Sequence, residues 1–322
     1  MEKQTELPKE VNEFFMYIKS RGRKESTVKR YRYDLEDFYR YLRVTVGEKE
    51  AMTNEALDGK NVEAYFSFLQ NERQYEVRTW KRIATVLKQY TSFLQARGLL
   101  KQNPFQTMDL DAIVMNELRS EELIHKKEEK QLYDSLRSDA GLSDRQRKAR
   151  PLLAPRNICI IHLFLQHGLR LQELASLTIG DINRGTGEIN IPEHTGNPRT
   201  IVLSRSQKTD LFYYLDMIPE AVRPNKPTDP LFVAFDFQRN TYRWSYEDDA
   251  PKNLTEIAIQ KMIREERKRA NIPRPITARH LRNTFIIRAL QKGWTTKQLV
   301  KYLGLQTELT LTKYIEYVEK QR

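Results

Sequence analysis

The chain has 322 residues, enough for two domains, and its 55 lysines and arginines against 43 aspartates and glutamates give a formal net charge of +12. This charge favours a polyanionic partner, while 39% hydrophobic residues exclude an unfolded basic tail. A single cysteine, Cys159, excludes an intrachain disulfide and a cysteine-based metal site. No apolar signal core begins the sequence and no apolar run is long enough for a membrane span, so we expect a cytoplasmic protein.

Helical periodicity dominates the first hundred residues. The first predicted helix ends at Gly22 and has one apolar face: Val11, Phe14, Phe15 and Ile18. The second covers residues 26–42, with Ser26 or Thr27 as its N-cap. Its apolar stripe contains Val28, Tyr31, Leu35, Phe38 and Leu42. Two further helices are predicted over 61–72 and 76–97, so this part of the chain reads as a small helical bundle.

Two of these helices have strongly basic faces. Lys29, Arg30 and Arg32 lie on the helix at 26–42. The helix at 77–97 has Arg78, Lys81, Arg82 and Lys88. Both faces are candidates for contact with the major groove or the backbone of DNA, and the alternative is a solvated helix face without a partner.

A polar stretch at 107–121 predicts a linker between a first domain, 1–106, and a second, 122–322. The second domain is predicted to be mainly helical, with one β-hairpin formed by "EINIPEH" and "RTIVLS" around the turn "TGNP". The segment "SDRQRKAR" at 143–150 is predicted to be a basic loop, either solvated or in contact with DNA. Cys159 lies in an apolar stretch and is expected to be buried and inert.

Three ordered motifs carry the functional signal. "HGLRLQELASLTIGDIN" contains Arg170 and Glu173, and "ITARHLRNTF" contains Arg282. In "KYLGLQTELTLTKYIEYV", Tyr314 comes nine residues after Leu305, the last residue of a Leu-Gly-Leu turn. The chain resembles the tyrosine recombinase (phage integrase) family in all three motifs and in the helix pair around "STVKRYRYDLEDFYRYL". The resemblance covers nearly the whole chain, and it extends to prophage repressors of the SPbeta type that have a recombinase fold.

The resemblance implies a mainly α fold with a small β-hairpin. Its two domains would form a C-shaped clamp on double-stranded DNA: a helical core-binding (SAM-like) domain and a domain like the recombinase catalytic domain. It also implies a chemistry: Arg170 and Arg282 clamp a phosphate with forked donors, and Tyr314 attacks it to form a phosphotyrosine link. A hairpin lysine would protonate the leaving oxygen, and two ring donors would assist.

All three assisting positions are substituted. Arg279 stands where the second arginine box of the family has histidine, Leu305 replaces a ring donor, and Thr195 lies where the hairpin lysine is expected. Leucine donates no hydrogen bond, and arginine is a poor general acid because it stays protonated. His280 and His194 are the alternatives that could rescue catalysis, although His280 is turned by about 100° on a helix from the position of Arg279. Arg199 and Arg279 add cations that can contact DNA.

Three functions remain open. The first is a sequence-specific DNA-binding regulator, such as a repressor of a prophage or mobile element, on a fold that has lost recombination. The second is an active recombinase that cleaves through Tyr314. The third is an accessory DNA-bending protein that binds unrelated duplexes equally well.

The expected partner is double-stranded DNA, to which the chain binds as a monomer or a homodimer and is then nucleoid-associated. Because a regulator needs an off-switch, an antagonist peptide or protein is also among the expected partners. We expect no cofactor and no metal, because the five histidines have no paired ligand spacing and there is no Gly-rich nucleotide loop.

Overall fold

A computed structural model describes residues 7–106 and 118–321, without the side chains of residues 77 and 78. The chain divides into two compact units, residues 1–116 and 117–322. The predicted fold class is confirmed: helices dominate both units, and the described strands form three small two-stranded sheets. The predicted linker lies largely outside the described residues, and the domain boundaries at 106 and 122 stay a prediction.

Unit 1 is a helical bundle around one apolar core. Its helices are α1 (Lys9–Ser20), α2 (Glu25–Val46), the short α3 (Glu48–Ala51), α4 (Gly59–Asn71) and α5 (Val77–Ala96). The apolar faces predicted for the first two helices are buried in this core. The predicted cap of α2 is wrong: the helix begins at Glu25 after Lys24, so Ser26 and Thr27 lie inside its first turn.

A polar pair fixes the centre of this bundle. Tyr39 on α2 and Tyr90 on α5 are both buried, and their hydroxyl oxygens are 3.1 Å apart. Each hydroxyl therefore has a hydrogen-bond partner inside the core, as burial of a phenol requires. This contact links α2 to α5, the two helices with the basic residues predicted to meet DNA.

The helices of unit 2 enclose two apolar clusters. They are α6 (Lys126–Arg137), α7 (Asp144–His167), α8 (Leu171–Ala175), α9 (Arg205–Met217), α10 (Glu256–Arg269), α11 (Ala278–Gln291), α12 (Thr296–Leu303) and α13 (Thr312–Glu319). Cys159 lies buried in α7, where burial raises the pKa of its thiol.

The predicted basic loop at 143–150 is wrong, because these residues form the start of α7. Ser143 caps the helix by accepting a hydrogen bond from the Gln146 amide. Arg150 is buried and donates to Glu266 on α10 at 2.6 Å, and Glu266 also accepts from Arg269 at 2.6 Å. The carboxylate of Glu266 thus neutralises Arg150, a cation that the local sequence predicts to be on the surface.

The predicted hairpin is present. Strands β1 (Glu188–Ile191) and β2 (Arg199–Val202) pair antiparallel, with Ile189 opposite Ile201. Two shorter antiparallel pairs follow: β3 (Phe235–Asp236) with β4 (Thr241–Tyr242), and β5 (Trp244–Ser245) with β6 (Ala250–Pro251). Among the described residues, no helix combines the length and apolarity needed to cross a membrane.

Candidate nucleic-acid interface

The site in unit 2 is organised around one carboxylate, that of Glu173 on α8. Glu173 is fully buried and accepts hydrogen bonds from the guanidinium of Arg170 at 2.5 Å and from the Arg170 backbone amide at 2.7 Å. Arg199 on β2 forms a bidentate pair with it, Nη1 to Oε1 at 2.9 Å and Nη2 to Oε2 at 2.7 Å. Arg282 on α11 lies 3.8 Å away. Three arginines therefore share one buried negative charge, which leaves the cluster with excess positive charge.

Gly168 explains how Arg282 reaches this cluster. It ends α7 in the left-handed conformation, with a φ of 63°, and its carbonyl accepts a hydrogen bond from Arg282. A Cβ at this position would lie 2.5 Å from the ring of Phe285, one helical turn after Arg282. Glycine thus lets α7 end against α11, which brings the two motif arginines to the same carboxylate.

The Leu-Gly-Leu turn closes the other side of the site. Gly304 ends α12 with a φ of 58°, and a Cβ there would lie 2.9 Å from the carbonyl oxygen of Asn197 in the hairpin. Arg170 donates to the carbonyls of Leu303 and Gly304 at 3.4 and 3.3 Å. The hairpin, the turn and the first arginine motif are therefore packed together, and the Arg170 side chain stays 35% exposed.

Tyr314 lies on α13 and is buried against α11. Its hydroxyl donates to Oδ1 of Asn283, the residue after Arg282, at 2.8 Å. Burial raises the pKa of Tyr314, against the opposing positive charges of Arg282 and Arg279. The phenol is therefore held protonated although cations lie near it.

The pKa values of the cluster reflect its crowded charge. Burial alone would raise the pKa of Glu173, but hydrogen bonds and charge from Arg199, the Arg170 amide and Arg282 lower it below its ordinary value. Burial and the charge of Arg170 lower the pKa of Arg282 to about 10. Both groups are thus charged at neutral pH, and an added phosphate would relieve the repulsion among the arginines.

The three substituted positions offer little for proton transfer. The side chain of Leu305 is buried in an apolar cluster that also contains Tyr314. The hydroxyl of Thr195 donates to the Pro192 carbonyl at 2.7 Å, so its proton is used within the hairpin. Arg279 lies 3.6 Å from the carboxylate of Glu122 and is partly exposed. None of the three is a lysine or a ring donor.

The two histidines named as rescuers lie in different environments. His194 is exposed in the hairpin turn. His280 is half-buried, and its Nδ1 has no hydrogen-bond partner among the described residues. Burial, with the charges of Arg274 and Arg279, lowers the pKa of His280 and keeps it neutral.

Unit 1 presents the second group of candidate residues. Lys29 and Lys88 are exposed, whereas Arg32 packs over the ring of Phe15 at 4.5 Å. Arg30 and Arg82 both pair with Asp34, a buried carboxylate. The side chain of Arg78 lies outside the described residues. Some of the predicted contact residues therefore also hold the bundle together.

A groove of about 1230 Å³ runs between α1 and α5. Its basic lining residues are Arg21, Arg23, Lys81, Lys88 and Arg97, and its aromatic ones are Phe14, Tyr17, Trp80 and Phe93. Sequence reasoning named Lys81 and Lys88 but assigned none of the three arginines to a basic helix face; in the structure they lie just after the last residues of α1 and α5. For two of them the sequence signal was the basic run from Arg21 to Lys24.

Sequence reasoning also missed Asn283 and Glu122. The amide of Asn283 connects Tyr314 to the backbone of Glu122, and no motif of the sequence joins these three positions.

Arg199 was predicted to contact DNA, but its side chain is only 5% exposed. A direct phosphate contact would require its pair with Glu173 to open. Within the described ranges, His, Cys, Asp and Glu side chains form no group of three suited to a metal ion.

Comparison with known families agrees with this architecture. Residues 122–320 match the phage integrase family, and residues 11–98 match the phage integrase N-terminal SAM-like domain. The chain belongs to the phage integrase family. The first match contains the three arginines, Glu173 and Tyr314, and the second contains the bundle of unit 1.

Curated relatives in the family are similar at low identity over most of their length. Tyrosine recombinase XerD of Listeria monocytogenes is 23% identical over 306 residues, which is 95% of this chain and 92% of XerD. Tyrosine recombinase XerC of Caldanaerobacter subterraneus is 23% identical over 295 residues, which is 86% of this chain and 74% of that XerC. These relatives confirm that the resemblance extends across both units.

Solved integrase structures share the fold. The Tn1549 transposon integrase in complex with a circular intermediate DNA superposes with a TM-score of 0.65 at 15% identity, covering 97% of this chain and 99% of the integrase. A lambda integrase dimer bound to a COC' core site superposes with a TM-score of 0.62 at 16% identity, covering 95% of this chain and 94% of the lambda integrase chain. Both likenesses concern the fold alone.

Proposed function

We propose that this chain is a sequence-specific DNA-binding regulator, a repressor of a prophage or other mobile element, on a recombinase fold that has lost recombination. The observation that carries the proposal is Leu305. At the position where a ring donor would reach the phosphate, a leucine side chain is buried in the cluster around Tyr314. Leucine can neither transfer a proton nor stabilise developing charge.

The other substituted positions support the same conclusion. Cleavage requires an acid for the leaving oxygen, and residues 188–203 of the hairpin contain no lysine. Thr195 uses its hydroxyl on Pro192, and Arg279 cannot act as an acid because it remains charged. Each missing proton-transfer group costs about 10²–10⁴ in rate, and such losses need not multiply because the groups act as a unit.

Binding to phosphate survives these losses. Arg170 and Arg282 keep forked donors next to a single buried carboxylate, and Arg170 is open to solvent. A DNA phosphate would add the negative charge that this cluster lacks. These arginines thus retain affinity for the DNA backbone without the groups that would break it.

Unit 1 supplies a second basic surface for double-stranded DNA. Lys29 on α2 and Lys88 on α5 are exposed, and the α1–α5 groove is lined by further cations. Aromatic and basic side chains together suit contact with sugar and phosphate as well as with base edges. Occupation of an operator-like site would exclude the transcription machinery, and an antagonist peptide or protein would release it.

An active tyrosine recombinase is the second candidate. It is favoured by the XerC and XerD relatives and by the retained Tyr314, Arg170 and Arg282. In this alternative His280 or His194 replaces the lost ring donors. It predicts a covalent link between Tyr314 and DNA, which the regulator does not form.

Selection of bound genomic fragments tests the proposed regulator. The recovered site is compared with a scrambled duplex of the same length and composition by measuring Kd over a range of salt. We expect a preference of at least about 10³-fold at physiological salt and loss of transcription from a promoter that contains the site. Equal affinity for both duplexes would instead support a DNA-bending protein.

A further inference from the structure

We infer that Asn283 is a positioning residue that, oriented by the backbone carbonyl of Glu122, holds the Tyr314 hydroxyl inside unit 2 as a hydrogen-bond donor. Asn283 is buried, with 1% of its surface exposed. Its Nδ2 donates to the Glu122 carbonyl at 3.2 Å, and its Oδ1 accepts from the Tyr314 hydroxyl at 2.8 Å. The two ends of one side-chain amide thus bridge the segment before α6 and the helix α13.

The bond to Glu122 decides which end of the amide faces Tyr314. A reversed amide would place Oδ1 about where Nδ2 lies, against the carbonyl oxygen of Glu122. Two acceptors would then face each other in a buried site, and each would lose its donor. The observed orientation satisfies both contacts, so the backbone carbonyl of Glu122 fixes the group presented to the tyrosine.

That group is an acceptor, which determines the state of the phenol. Because Oδ1 only accepts, the Tyr314 hydroxyl must keep its proton and donate a hydrogen bond to it. An amide oxygen is not a base at neutral pH and does not take the proton away. A phenolate would place one negative oxygen against another electron-rich oxygen, so loss of the proton is opposed.

Other charges near Tyr314 act in both directions. Arg282 and Arg279 favour the phenolate, whereas Glu122 opposes it. The ammonium of Lys313 lies 4.8 Å from the centre of the Tyr314 ring. Burial is the main reason that the pKa of Tyr314 is raised, and the hydrogen bond to Asn283 is a local contact that also favours the protonated phenol.

The orienting carbonyl is itself held firmly. Glu122 ends the 3-10 turn Ser120–Glu122, and its carboxylate lies 3.6 Å from Arg279. Arg274 donates to the carbonyls of the neighbouring Glu121 and Leu123. The segment after the predicted linker thus fixes the side chain that holds the tyrosine.

This inference deepens the proposed function, because it identifies a contact that keeps Tyr314 unreactive. Its test uses the full chain without DNA. The role of Asn283 can therefore be contradicted while DNA binding is confirmed, and DNA binding can be contradicted while the role of Asn283 is confirmed. Tyrosines labelled with ¹³C at Cζ are titrated by NMR, and the Tyr314 signal is assigned by its loss in Tyr314→Phe. In the unsubstituted chain, Tyr314 should titrate above an ordinary tyrosine.

Two variants should move this titration in opposite directions. Asn283→Ala removes the acceptor and should lower the pKa of Tyr314 by about one pH unit. Asn283→Asp also loses the donor to the Glu122 carbonyl, but at the high pH where the phenol titrates it presents a charged acceptor to Tyr314 and should raise the pKa of Tyr314. Asn253→Ala removes an exposed side-chain amide in unit 2 that donates to the Ala175 carbonyl, and it should not change the titration of Tyr314.

Generic loosening of the structure would give another result. It would shift Tyr314 toward an ordinary tyrosine in both Asn283 variants, and that outcome would overturn the inference, as would no shift in either. The unsubstituted chain gives a test that depends on no variant: titration at or below the ordinary value would also overturn it.

Discussion

Arg199 and Glu173 form a bidentate ion pair that ties the hairpin to the first arginine motif, with N–O distances of 2.9 and 2.7 Å. The Arg199 side chain is 5% exposed and that of Glu173 is fully buried. Because the same carboxylate also binds Arg170, the hairpin and Arg170 are held in one arrangement. The cluster therefore depends on Glu173 more than on any single arginine.

Replacing Glu173 by glutamine should destabilise unit 2 by about 3–5 kcal/mol, because it leaves three arginines without their shared counter-charge. The free energy of unfolding, measured with urea, checks this value. Glu188→Gln is the matched control at the start of the hairpin, where the Glu188 carboxylate accepts a hydrogen bond from the Thr186 hydroxyl on the surface. It should cost less than about 1 kcal/mol. Equal losses in the two variants would contradict the central role of Glu173.

The same residue predicts a pH dependence. The folded-state pKa of Glu173 lies below its ordinary value, so its stabilising contribution is present above the unfolded pKa of about 4.3. This contribution should be lost as pH falls through the folded pKa. The stability difference between the unsubstituted chain and Glu173→Gln should therefore be constant near neutral pH and shrink below about pH 4. A difference that grows on acidification would contradict the assignment.

Arg170→Ala should weaken DNA binding and reduce the steepness of its salt dependence. Loss of one phosphate contact lowers the slope of log K against log salt by about 0.9. The fold should persist, because Glu173 keeps its pair with Arg199. Lys226→Ala, which removes an exposed cation paired with Asp249, is the matched control and should change the slope less.

Two kinds of basic residue in unit 1 should respond differently. Lys29→Ala and Lys88→Ala should each reduce the salt slope with little change in stability, because both side chains are exposed. Arg82→Ala should instead lower the free energy of unfolding by about 1–3 kcal/mol, because Arg82 pairs with the buried Asp34. Binding titrations and urea denaturation on the same samples separate the two effects.

Arg150→Ala should reduce stability by about 3–5 kcal/mol and leave the salt slope unchanged. Arg150 is buried with Glu266, so its loss leaves that carboxylate with Arg269 and Ser135. Arg145→Ala, in the exposed first turn of the same helix, is the control for stability. A large change in the salt slope for Arg150→Ala would support the contact with DNA that was one of the two alternatives for residues 143–150.

Local patterns predicted the four longer helices of unit 1 and the hairpin of unit 2, because their information is contained within a few turns of chain. The apolar stripe from Val28 to Leu42 is an example, and it lies buried as predicted. At 143–150 the local capping signal of Ser143 and Gln146 was missed. The burial of Arg150 has a long-range cause, since Glu266 lies 116 residues away and no local pattern joins them. The contact between Tyr314 and Asn283 likewise spans 31 residues.

The ordered motifs of the sequence indicated the arginines and the tyrosine of the candidate site, but not the contacts among them. That Arg199 is directed inward depends on the hairpin packing over Gly304, which is a property of the folded chain. The roles of Asn283 and Glu122 depend on the segment before α6 lying against α11. Such relationships follow from tertiary packing, which spacing along the sequence does not encode.

Covalent trapping tests the central claim most directly. A bound genomic site is nicked near the candidate cleavage position, so that any attack by Tyr314 leaves a stable adduct, and it is incubated with the unsubstituted chain, Tyr314→Phe and Tyr317→Phe. We predict tight, sequence-specific binding by all three proteins and no covalent adduct with any of them. An adduct that forms with the unsubstituted chain and Tyr317→Phe but is lost in Tyr314→Phe would contradict the account and establish an active recombinase.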